Sequence, residues 1–307
     1  MMGSFIESFF TDNNAVNAFT RIDNSHVLDF YLGTNAVGKS TLLLLSDKPP
    51  MLLKSSQIIS IYIAKRKDKK WAISFSLLDD SYKDIFCRFC EDIIESSRWI
   101  NDKDYGTGFV CERYIQWQKM LKRRPDGLLT FAEVKGLLGE LYFLHKYLFA
   151  EYGIEISLKS WIGPDKADQD FIFPDKWYEV KTTVSGAEDV KISSIEQLDN
   201  QGLGELVVVI FDKTSDTNPG KITLNSLVTA IEKQFTDNEQ KELFNNLLLL
   251  QGYYYREEYD QYVFRFNGCK RFRIDSQFPC LRRNGIPQTI VNAVYSISLA
   301  SLEGYKI

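Results

Sequence analysis

The stretch from Asp168 to Lys181 constrains the fold of this chain more than any other, because it has the pattern of a β-hairpin that carries acids and a lysine. Residues 171–173 and 177–183 are rich in aromatic and β-branched side chains, which favour strands. Residues 174–176, Pro-Asp-Lys, are typical of a turn. The sequence therefore predicts two antiparallel strands joined at residues 174–176.

The register of this hairpin decides which side chains meet. If Phe173 pairs with Tyr178, Asp170 lies opposite Lys181. Because side chains alternate along a strand, Asp170, Glu179 and Lys181 then share one face. The other face carries Phe171, Phe173, Tyr178 and Val180.

Two carboxylates beside an ammonium group suit a hard divalent cation such as Mg²⁺, which binds one or two carboxylates and keeps several waters. A lysine beside such a site can orient or deprotonate an attacking water, or stabilise charge on a phosphate oxygen. The alternative interpretation is a solvated hairpin face with a cross-strand ion pair.

Composition bounds the class of protein. The 307 residues suffice for two modest domains or one elaborated domain, and 44% hydrophobic content indicates a globular protein. At a net charge of −4, contact with a polyanion must come from local basic patches. The chain lacks an apolar run of ~20 residues and an export signal, so we expect a cytoplasmic protein without a membrane partner. Five cysteines, an odd number, then favour free thiols.

The first 125 residues have the pattern of a β-rich domain closed by helices. Strands are predicted at 27–32, 41–45, 58–64 and 71–77, and helices at 81–96 and 111–124. The basic turn 65–70 is interpreted as a solvated hairpin tip, with a phosphate-contacting loop as the alternative.

Two motifs in this part match known binding patterns. Residues 33–40, Gly-Thr-Asn-Ala-Val-Gly-Lys-Ser, match the P-loop, but a leucine run and Pro49-Pro50 leave no room for the helix that a P-loop requires. We predict a hairpin turn there. Cys87 and Cys90 form a C-x-x-C pair without a second pair at metal-site spacing, and Cys87 is expected off the buried helix face.

A domain boundary is predicted at the helix-breaking residues 125–127, Pro-Asp-Gly. Thr130 and Glu133 then form a capping box that opens a helix. Within it, Gly136 and Gly139 share a face, and glycine costs about 1 kcal/mol in a helix interior, so we expect a close backbone approach there. Glu140 follows these glycines. It is either solvent-facing, as is usual mid-helix, or placed against the sheet.

The segments after this helix are predicted in the order strand, strand, strand, helix, strand. Ile154 to Leu158 is the first strand and the hairpin supplies two more. A capping box at Ser193 and Glu196 opens a short helix, and residues 206–212 form a buried strand.

This order, with a glutamate on the helix, an aspartate opening the second strand and Glu-x-Lys on the third, resembles the PD-(D/E)XK nuclease superfamily. More closely, the chain resembles the PD-(D/E)XK-motif proteins encoded beside bacterial restriction and phage-defence genes. The segments that carry this resemblance are Gly136-x-x-Gly-Glu140, Trp161-Ile-Gly-Pro164, Asp170-Phe171, Glu179-Val-Lys-Thr-Thr183, Gln197-Leu198, Leu250-Gln-Gly-Tyr253, Phe278-Pro279 and Val294-Tyr-Ser-Ile-Ser298.

The resemblance implies an α/β fold with a restriction-endonuclease-like core, in which helices flank a mixed central sheet. We assign this nuclease core to residues 126–215. A β-rich N-terminal domain spans residues 1–125, and an α+β C-terminal region, residues 216–307, packs on the core.

The resemblance also implies an activity, which is Mg²⁺-dependent hydrolysis of DNA phosphodiester bonds in a restriction-modification or phage-defence system, with Mn²⁺ as a substitute. Asp170 and Glu179 would ligate the metal with the Val180 carbonyl. Glu140 would hold a water on the metal or a second ion, Lys181 would assist the attacking water, and Gln197 would support the site. The implied partners are DNA and other defence subunits, such as a methyltransferase or an ATPase/helicase, and a homodimer is compatible with this interpretation.

The aspartate of the motif has to be chosen. The literal Pro-Asp dipeptide is Pro164-Asp165, but five turn-like residues separate it from the hairpin. We therefore choose Asp170, with Asp168 as the second choice, and interpret Asp165 as loop.

Two other classes stay open, namely a catalytically silent nuclease fold that serves as a DNA-binding or assembly subunit, and a P-loop nucleotide-binding protein. The last hundred residues carry no catalytic signature. They predict helices at 224–235 and 238–250 and strands at 253–255, 259–266 and 271–274. Five basic residues there could contact a nucleic acid or be ordinary surface charge: Lys270, Arg271, Arg273, Arg282 and Arg283.

Overall fold

A computed structural model describes residues 2–12, 15–123, 128–163 and 168–307. The chain divides into two compact units, Met1–Leu128 and Leu129–Ile307. The boundary predicted at residues 125–127 falls outside the described residues. In the described ranges, no helix has both the length and the apolar character needed to cross a membrane.

Five antiparallel strands form the sheet of the first unit, in the order β1-β2-β3-β5-β4. The strands are β1 Ala18–Arg21, β2 Asp29–Thr34, β3 Ser40–Ser46, β4 Ile59–Lys65 and β5 Trp71–Leu77, and the helices are α1 Met2–Asp12, α2 Lys83–Ser96 and α3 Lys103–Arg123. The predicted pairing of residues 58–64 with 71–77 is confirmed. Helix α3 begins eight residues earlier than predicted.

The loop that matches the P-loop pattern is a tight turn between β2 and β3. Asn35 N donates to Lys39 O at 3.0 Å, and Asn35 Oδ1 accepts from the backbone N–H groups of Val37 and Lys39. Gly38 has a φ of +79°, which glycine adopts readily. A strand follows at Ser40, so the predicted hairpin is confirmed and the loop does not lead into a helix N-terminus.

We expect this turn to bind no nucleotide. Lys39 makes one surface ion pair with Asp80, at 3.3 Å, so Lys39→Ala should change stability by less than about 0.5 kcal/mol. Isothermal titration of wild type and Lys39→Ala with Mg–ATP should show no binding in either protein. Tight binding by wild type that Lys39→Ala abolishes would contradict the turn assignment.

The cysteines are free thiols, as predicted, but the placement of one was wrong. Cys87 and Cys90 are both buried on α2, whereas Cys87 was expected off the buried face. Burial raises the pKa of the Cys87 thiol to about 12, so the reactive thiolate is not formed near neutral pH.

The second unit is built on a mixed five-stranded sheet, in the order β10-β11-β9-β7-β6, in which only β7 and β9 are parallel. Its strands are β6 Phe171–Ile172, β7 Lys176–Thr183, β8 Asp189–Ile192, β9 Leu203–Lys213, β10 Lys221–Ile222, β11 Phe264–Ile274 and β12 Tyr295–Ser298. Its helices are α4 Phe131–Phe143, α5 Phe149–Tyr152, α6 Ile154–Ser160, α7 Leu224–Glu232 and α8 Asn238–Gln251. A π-helical stretch, Leu144–Leu148, joins α4 to α5, and β8 pairs separately with β12. The chain is therefore mixed α/β, as predicted.

Three local predictions in this unit were wrong. Residues 154–158 were predicted as a strand but lie in helix α6. The prediction failed because five residues of alternating apolar and polar character are too few to distinguish a strand from a helix turn. The capping box expected at Ser193 is not formed, since the Glu196 carboxylate contacts Arg283 instead and only a 3₁₀ turn, Glu196–Leu198, follows. The strands predicted at 259–266 and 271–274 are one strand, β11, with an irregularity at Gly268, and residues 253–255 are not a strand.

Helix α4 meets strand β7 at Gly139. The capping box of Thr130 and Glu133 is confirmed at the start of this helix. A Cβ at Gly139 would lie 1.9 Å from Thr182 Oγ1, whereas a Cβ at Gly136 would meet nothing within 4 Å. The close approach predicted for both glycines therefore depends on Gly139 alone.

These two glycines form a matched pair for mutagenesis. Gly139→Ala forces Thr182 or the helix to move and should lower the free energy of unfolding by roughly 1–3 kcal/mol. Gly136→Ala adds a methyl group in open space and should raise it by up to about 1 kcal/mol, through helix propensity. Urea denaturation of both variants measures the difference. Equal effects of the two substitutions would contradict this packing.

Candidate active site

Strands β6 and β7 bring the acids of the hairpin together in a register that differs from the predicted one. Phe171 pairs with Tyr178, whereas Phe173 was expected opposite Tyr178. The prediction was therefore wrong by two residues. Since the side-chain period of a strand is also two, every residue keeps its predicted face, and the register extends to place Asp170 opposite Glu179.

Asp170 lies at the edge of β7, directly before the first residue of the short strand β6. Val180 N donates to Asp170 Oδ2 at 2.7 Å, and the N–H groups of Ile162 and Gly163 donate to Asp170 O at 3.0 and 3.1 Å. A Cβ at Gly163 would lie 3.2 Å from Asp170 Oδ1, so this glycine leaves room beside the carboxylate. The N–H and C=O groups of one strand residue point to the same edge, so the Val180 carbonyl also points to the Asp170 side.

Glu179 and Lys181 form an ion pair on one face of β7. Glu179 is fully buried and the Lys181 side chain is 16% exposed. Lys181 Nζ lies 2.6 Å from Glu179 Oε1 and donates to Gln197 Oε1 at 3.0 Å. Gln197 Oε1 also accepts from Ser193 N at 2.8 Å, which fixes the amide. Among the described residues, Glu179 Oε2 has no hydrogen-bond partner.

Glu140 reaches this site from the other side of the sheet. Helix α4 packs on the face of β7 that carries Thr182, opposite to the face of Lys181. The half-buried Glu140 carboxylate accepts two hydrogen bonds at Oε2, from Trp161 Nε1 at 2.8 Å and from Gln251 Nε2 at 3.3 Å.

All three carboxyl groups of the site have raised pKa values, chiefly because they are buried. Burial and then the charge of Asp170 raise the pKa of Glu140 to about 8. The same two causes hold the pKa of Glu179 well above its usual range. Burial also raises the pKa of Asp170, against the effects of Lys181 and the Val180 N–H group. Burial of the Lys181 ammonium favours its neutral form, but Glu179 and Asp170 outweigh this and raise its pKa.

The structure thus brings five of the predicted site residues into one neighbourhood: Asp170, Glu179, Lys181, Glu140 and Gln197. Val180 lies between Glu179 and Lys181 on β7 and contacts Asp170 through its N–H group. Asp168 is exposed, and Asp165 lies outside the described residues. Across the described ranges, no group of three or more His, Cys, Asp or Glu side chains is arranged to hold a metal ion. The acids are close enough to shift one another's pKa, but they do not form a complete ligand shell.

Three residues that touch the site have no role predicted from the sequence. Trp161 and Gln251 hold Glu140, and Gly163 leaves room for Asp170. Gln251 is the last residue of α8, and Gly252, with a φ of +87°, ends the helix there. The segments Trp161-Ile-Gly and Leu250-Gln-Gly were part of the family resemblance. That resemblance was the available signal, but it did not show which side chain they contact.

The raised pKa of Glu140 predicts how stability depends on pH in the absence of metal. A glutamate titrates near 4.3 in the unfolded chain and at about 8 here, so the folded state binds the extra proton between these values. The free energy of unfolding should therefore fall as the pH rises through this window, and Glu140→Gln should remove roughly 4 kcal/mol of the fall between pH 5 and pH 8.5. Urea denaturation in EDTA from pH 5 to pH 8.5 measures this.

The exposed Glu188 provides the control, because the same substitution there lies outside the site. Glu188→Gln should keep the wild-type slope of stability against pH. A wild-type slope in Glu140→Gln would show that Glu140 is not the group that titrates. Asp170 and Glu179 keep their own raised pKa values, so some slope should persist in every variant.

Comparison with known protein families gives a match that covers most of the chain. A family model with the description "Putative PD-(D/E)XK family member, (DUF4420)" matches residues 11–300. No curated protein and no solved structure matches the chain. The matched range includes every residue of the site described above.

Proposed function

The chain belongs to the DUF4420 family of PD-(D/E)XK proteins, and from this premise we propose that it is a nuclease that hydrolyses DNA phosphodiester bonds with a divalent metal ion. The observation that carries the proposal is the charge balance of the site. Among the described residues, Asp170, Glu179 and Glu140 bring three carboxylates around one ammonium group, that of Lys181. This excess of negative charge fits a site that receives a divalent cation.

The residues present fit a hard cation such as Mg²⁺ or Mn²⁺. Glu179 Oε2 is a buried carboxylate oxygen without a hydrogen-bond partner among the described residues, and the Val180 carbonyl points to the same edge as Asp170. Asp170, Glu179 and Val180 would hold the ion, and Glu140 would complete the site. These are oxygen donors only, as such ions prefer. A bound divalent ion supplies positive charge that stabilises the negative charge developing on a phosphate.

The surroundings of Lys181 favour one of its candidate roles. Its pKa is raised, so it stays an ammonium group near neutral pH and serves as a hydrogen-bond donor, not as a base. The hydrogen bond from Nζ to Gln197 Oε1 keeps it in place. We therefore assign Lys181 to orienting the attacking water and stabilising charge on a phosphate oxygen, and Gln197 to positioning Lys181. Trp161 and Gln251 position Glu140 in the same way.

The arrangement of elements supports a restriction-endonuclease-like core for the second unit. A helix with a glutamate, α4, packs on a mixed sheet whose β6–β7 hairpin carries the other acids, and β9 returns parallel to β7. A role in a restriction-modification or phage-defence system, alongside other subunits of such a system, follows from the family resemblance alone and is part of the proposal.

A catalytically silent nuclease fold is the second candidate, and one observation favours it. In the described residues, the acids do not form a group of three arranged for a metal ion. In that case the protein would bind DNA or assemble with partners without cutting. Metal binding and cleavage distinguish the two functions.

Substitution of Lys181 and Asp170 separates the two roles in the site. Lys181→Ala removes the ammonium group but keeps the oxygen donors, so cleavage of plasmid DNA should be lost while Mg²⁺ or Mn²⁺ binding holds. Asp170→Ala removes a donor and should weaken both. DNA affinity without metal should hold or rise in Asp170→Ala, because a carboxylate repels phosphate. Nuclease assays, metal titrations and binding assays measure these effects.

A matched control lies on the same strand. Lys176 also pairs with a buried glutamate, Glu205, but Arg271 keeps that glutamate partnered at 2.6 Å when Lys176 is replaced. Lys176→Met should cut DNA like wild type. If wild type cuts no DNA under any metal or partner condition, or if Lys181→Ala cuts as well as wild type, the catalytic proposal fails and the silent fold takes its place.

A further inference from the structure

One buried aspartate in the first unit, Asp29, forms ion pairs with three basic side chains. Asp29 Oδ1 lies 2.8 Å from Arg21 Nη2, and Asp29 Oδ2 lies 2.8 Å from Lys103 Nζ and 3.6 Å from Lys70 Nζ. The Asp29 side chain is 11% exposed, whereas those of the three cations are 35% to 43% exposed. One carboxylate balances one of these charges, and the exposed Asp47, 3.6 Å from Lys70, balances part of another. Positive charge is therefore left over at a solvent-facing position.

The hairpin tip between β4 and β5 adds to this charge. Arg66 N donates to Lys70 O at 2.8 Å and closes the turn, so the tip is continuous with the cations around Asp29. Arg66 is paired with Asp68 at 3.1 Å. Lys67 and Lys69 are exposed and make no ion pair among the described residues. Lys69 N donates to Arg66 O at 3.1 Å within the turn, but the side chains of both lysines make no hydrogen bond in the part of the chain that the structure describes.

Like charges that gather on one surface repel one another, and a polyanion relieves that repulsion. We define the basic surface as Arg21, Lys67, Lys69, Lys70 and Lys103. It occurs on a chain whose net charge is −4, so it does not follow from overall composition. From the sequence, residues 65–70 were interpreted as a solvated hairpin tip, with a phosphate-contacting loop as the alternative.

We propose that the basic surface binds the phosphate backbone of double-stranded DNA. The choice of DNA as the polyanion rests on the proposed nuclease function. DNA presents one charge about every 3.4 Å along each strand, which suits several lysines spread over a hairpin and its neighbours. The contacts are to phosphates, so the surface should add affinity without sequence preference.

The dependence of affinity on salt tests this directly. Each phosphate contact contributes about 0.9 to the slope of log K against log salt, and on the order of fivefold to tenfold in affinity near 0.1 M salt. The variant Lys67→Ala/Lys69→Asn should lower the magnitude of the slope by about 1.8. Asparagine is used at position 69 because the φ of Lys69 is +70°, which asparagine tolerates. Fluorescence anisotropy of the full chain with a duplex in EDTA gives the slopes without cleavage.

Two further variants control for a general loss of positive charge and for unfolding. Lys119→Ala/Lys122→Ala removes the same charge from exposed positions of α3 in the same unit and should leave the slope unchanged. Asp47→Asn frees Lys70 from an acid and should raise DNA affinity several-fold, which unfolding cannot mimic. An unchanged slope in the Lys67/Lys69 variant, an equal loss in the Lys119/Lys122 control, or binding to anionic phosphatidylserine vesicles but not to DNA would overturn the proposal.

The outcome is independent of catalysis. If the protein cuts DNA but the Lys67/Lys69 variant keeps the wild-type slope, the basic surface proposal fails and the nuclease proposal stands. If the slopes change as expected but no metal supports cleavage, the basic surface stands and the silent-fold function replaces the nuclease.

Discussion

The Glu179 carboxylate is buried inside a sheet, and the rest of the site is arranged around the cost of placing it there. Taking such a charge out of water costs several kcal/mol even after relaxation. Lys181, at 2.6 Å, offsets part of this cost, but Asp170 and Glu140 add two like charges to the same neighbourhood. Without a cation, protonation of carboxyl groups lowers the cost of burying these charges. The pKa values of all three carboxyl groups are therefore raised.

The opposite face of the sheet holds a second buried acid, Glu205, whose charge is paired with cations. Glu205 is 2% exposed and pairs with two cations, Lys176 and Arg271. Arg271 also lies over the rings of Phe143 and Tyr178, at 5.8 Å from each. Glu205 has two cations there, whereas around Glu179 three acids share the Lys181 ammonium among the described residues. The contrast within one pair of strands shows that this chain can pair a buried acid fully, and such a deficit of positive charge is typical of functional sites.

The faces of the β6–β7 hairpin could be predicted from the sequence, but its register could not. The register was wrong by two residues, yet Asp170, Glu179 and Lys181 kept a common face, because a strand repeats every two residues. The turn at residues 35–39 was predicted correctly, since the double proline after it excluded a long helix. The strand predicted at residues 154–158 was wrong, because this five-residue pattern fits a strand and a helix turn equally. Local chemistry decides turns and faces, while register and short segments depend on tertiary contacts.

The contacts that hold the site could not be predicted, because they join residues far apart in sequence. Gln251 reaches Glu140 across 111 positions, and its place depends on where Gly252 ends α8. Strand β11 pairs with β9 along almost its full length, so residues beyond 215 cover one edge of the strand that flanks β7. A fragment that ended at residue 215 would keep Asp170, Glu179 and Lys181 but would lose a donor to Glu140 and expose the edge of β9. The acids are local to one hairpin, but the support that brings them together comes from the whole of the second unit.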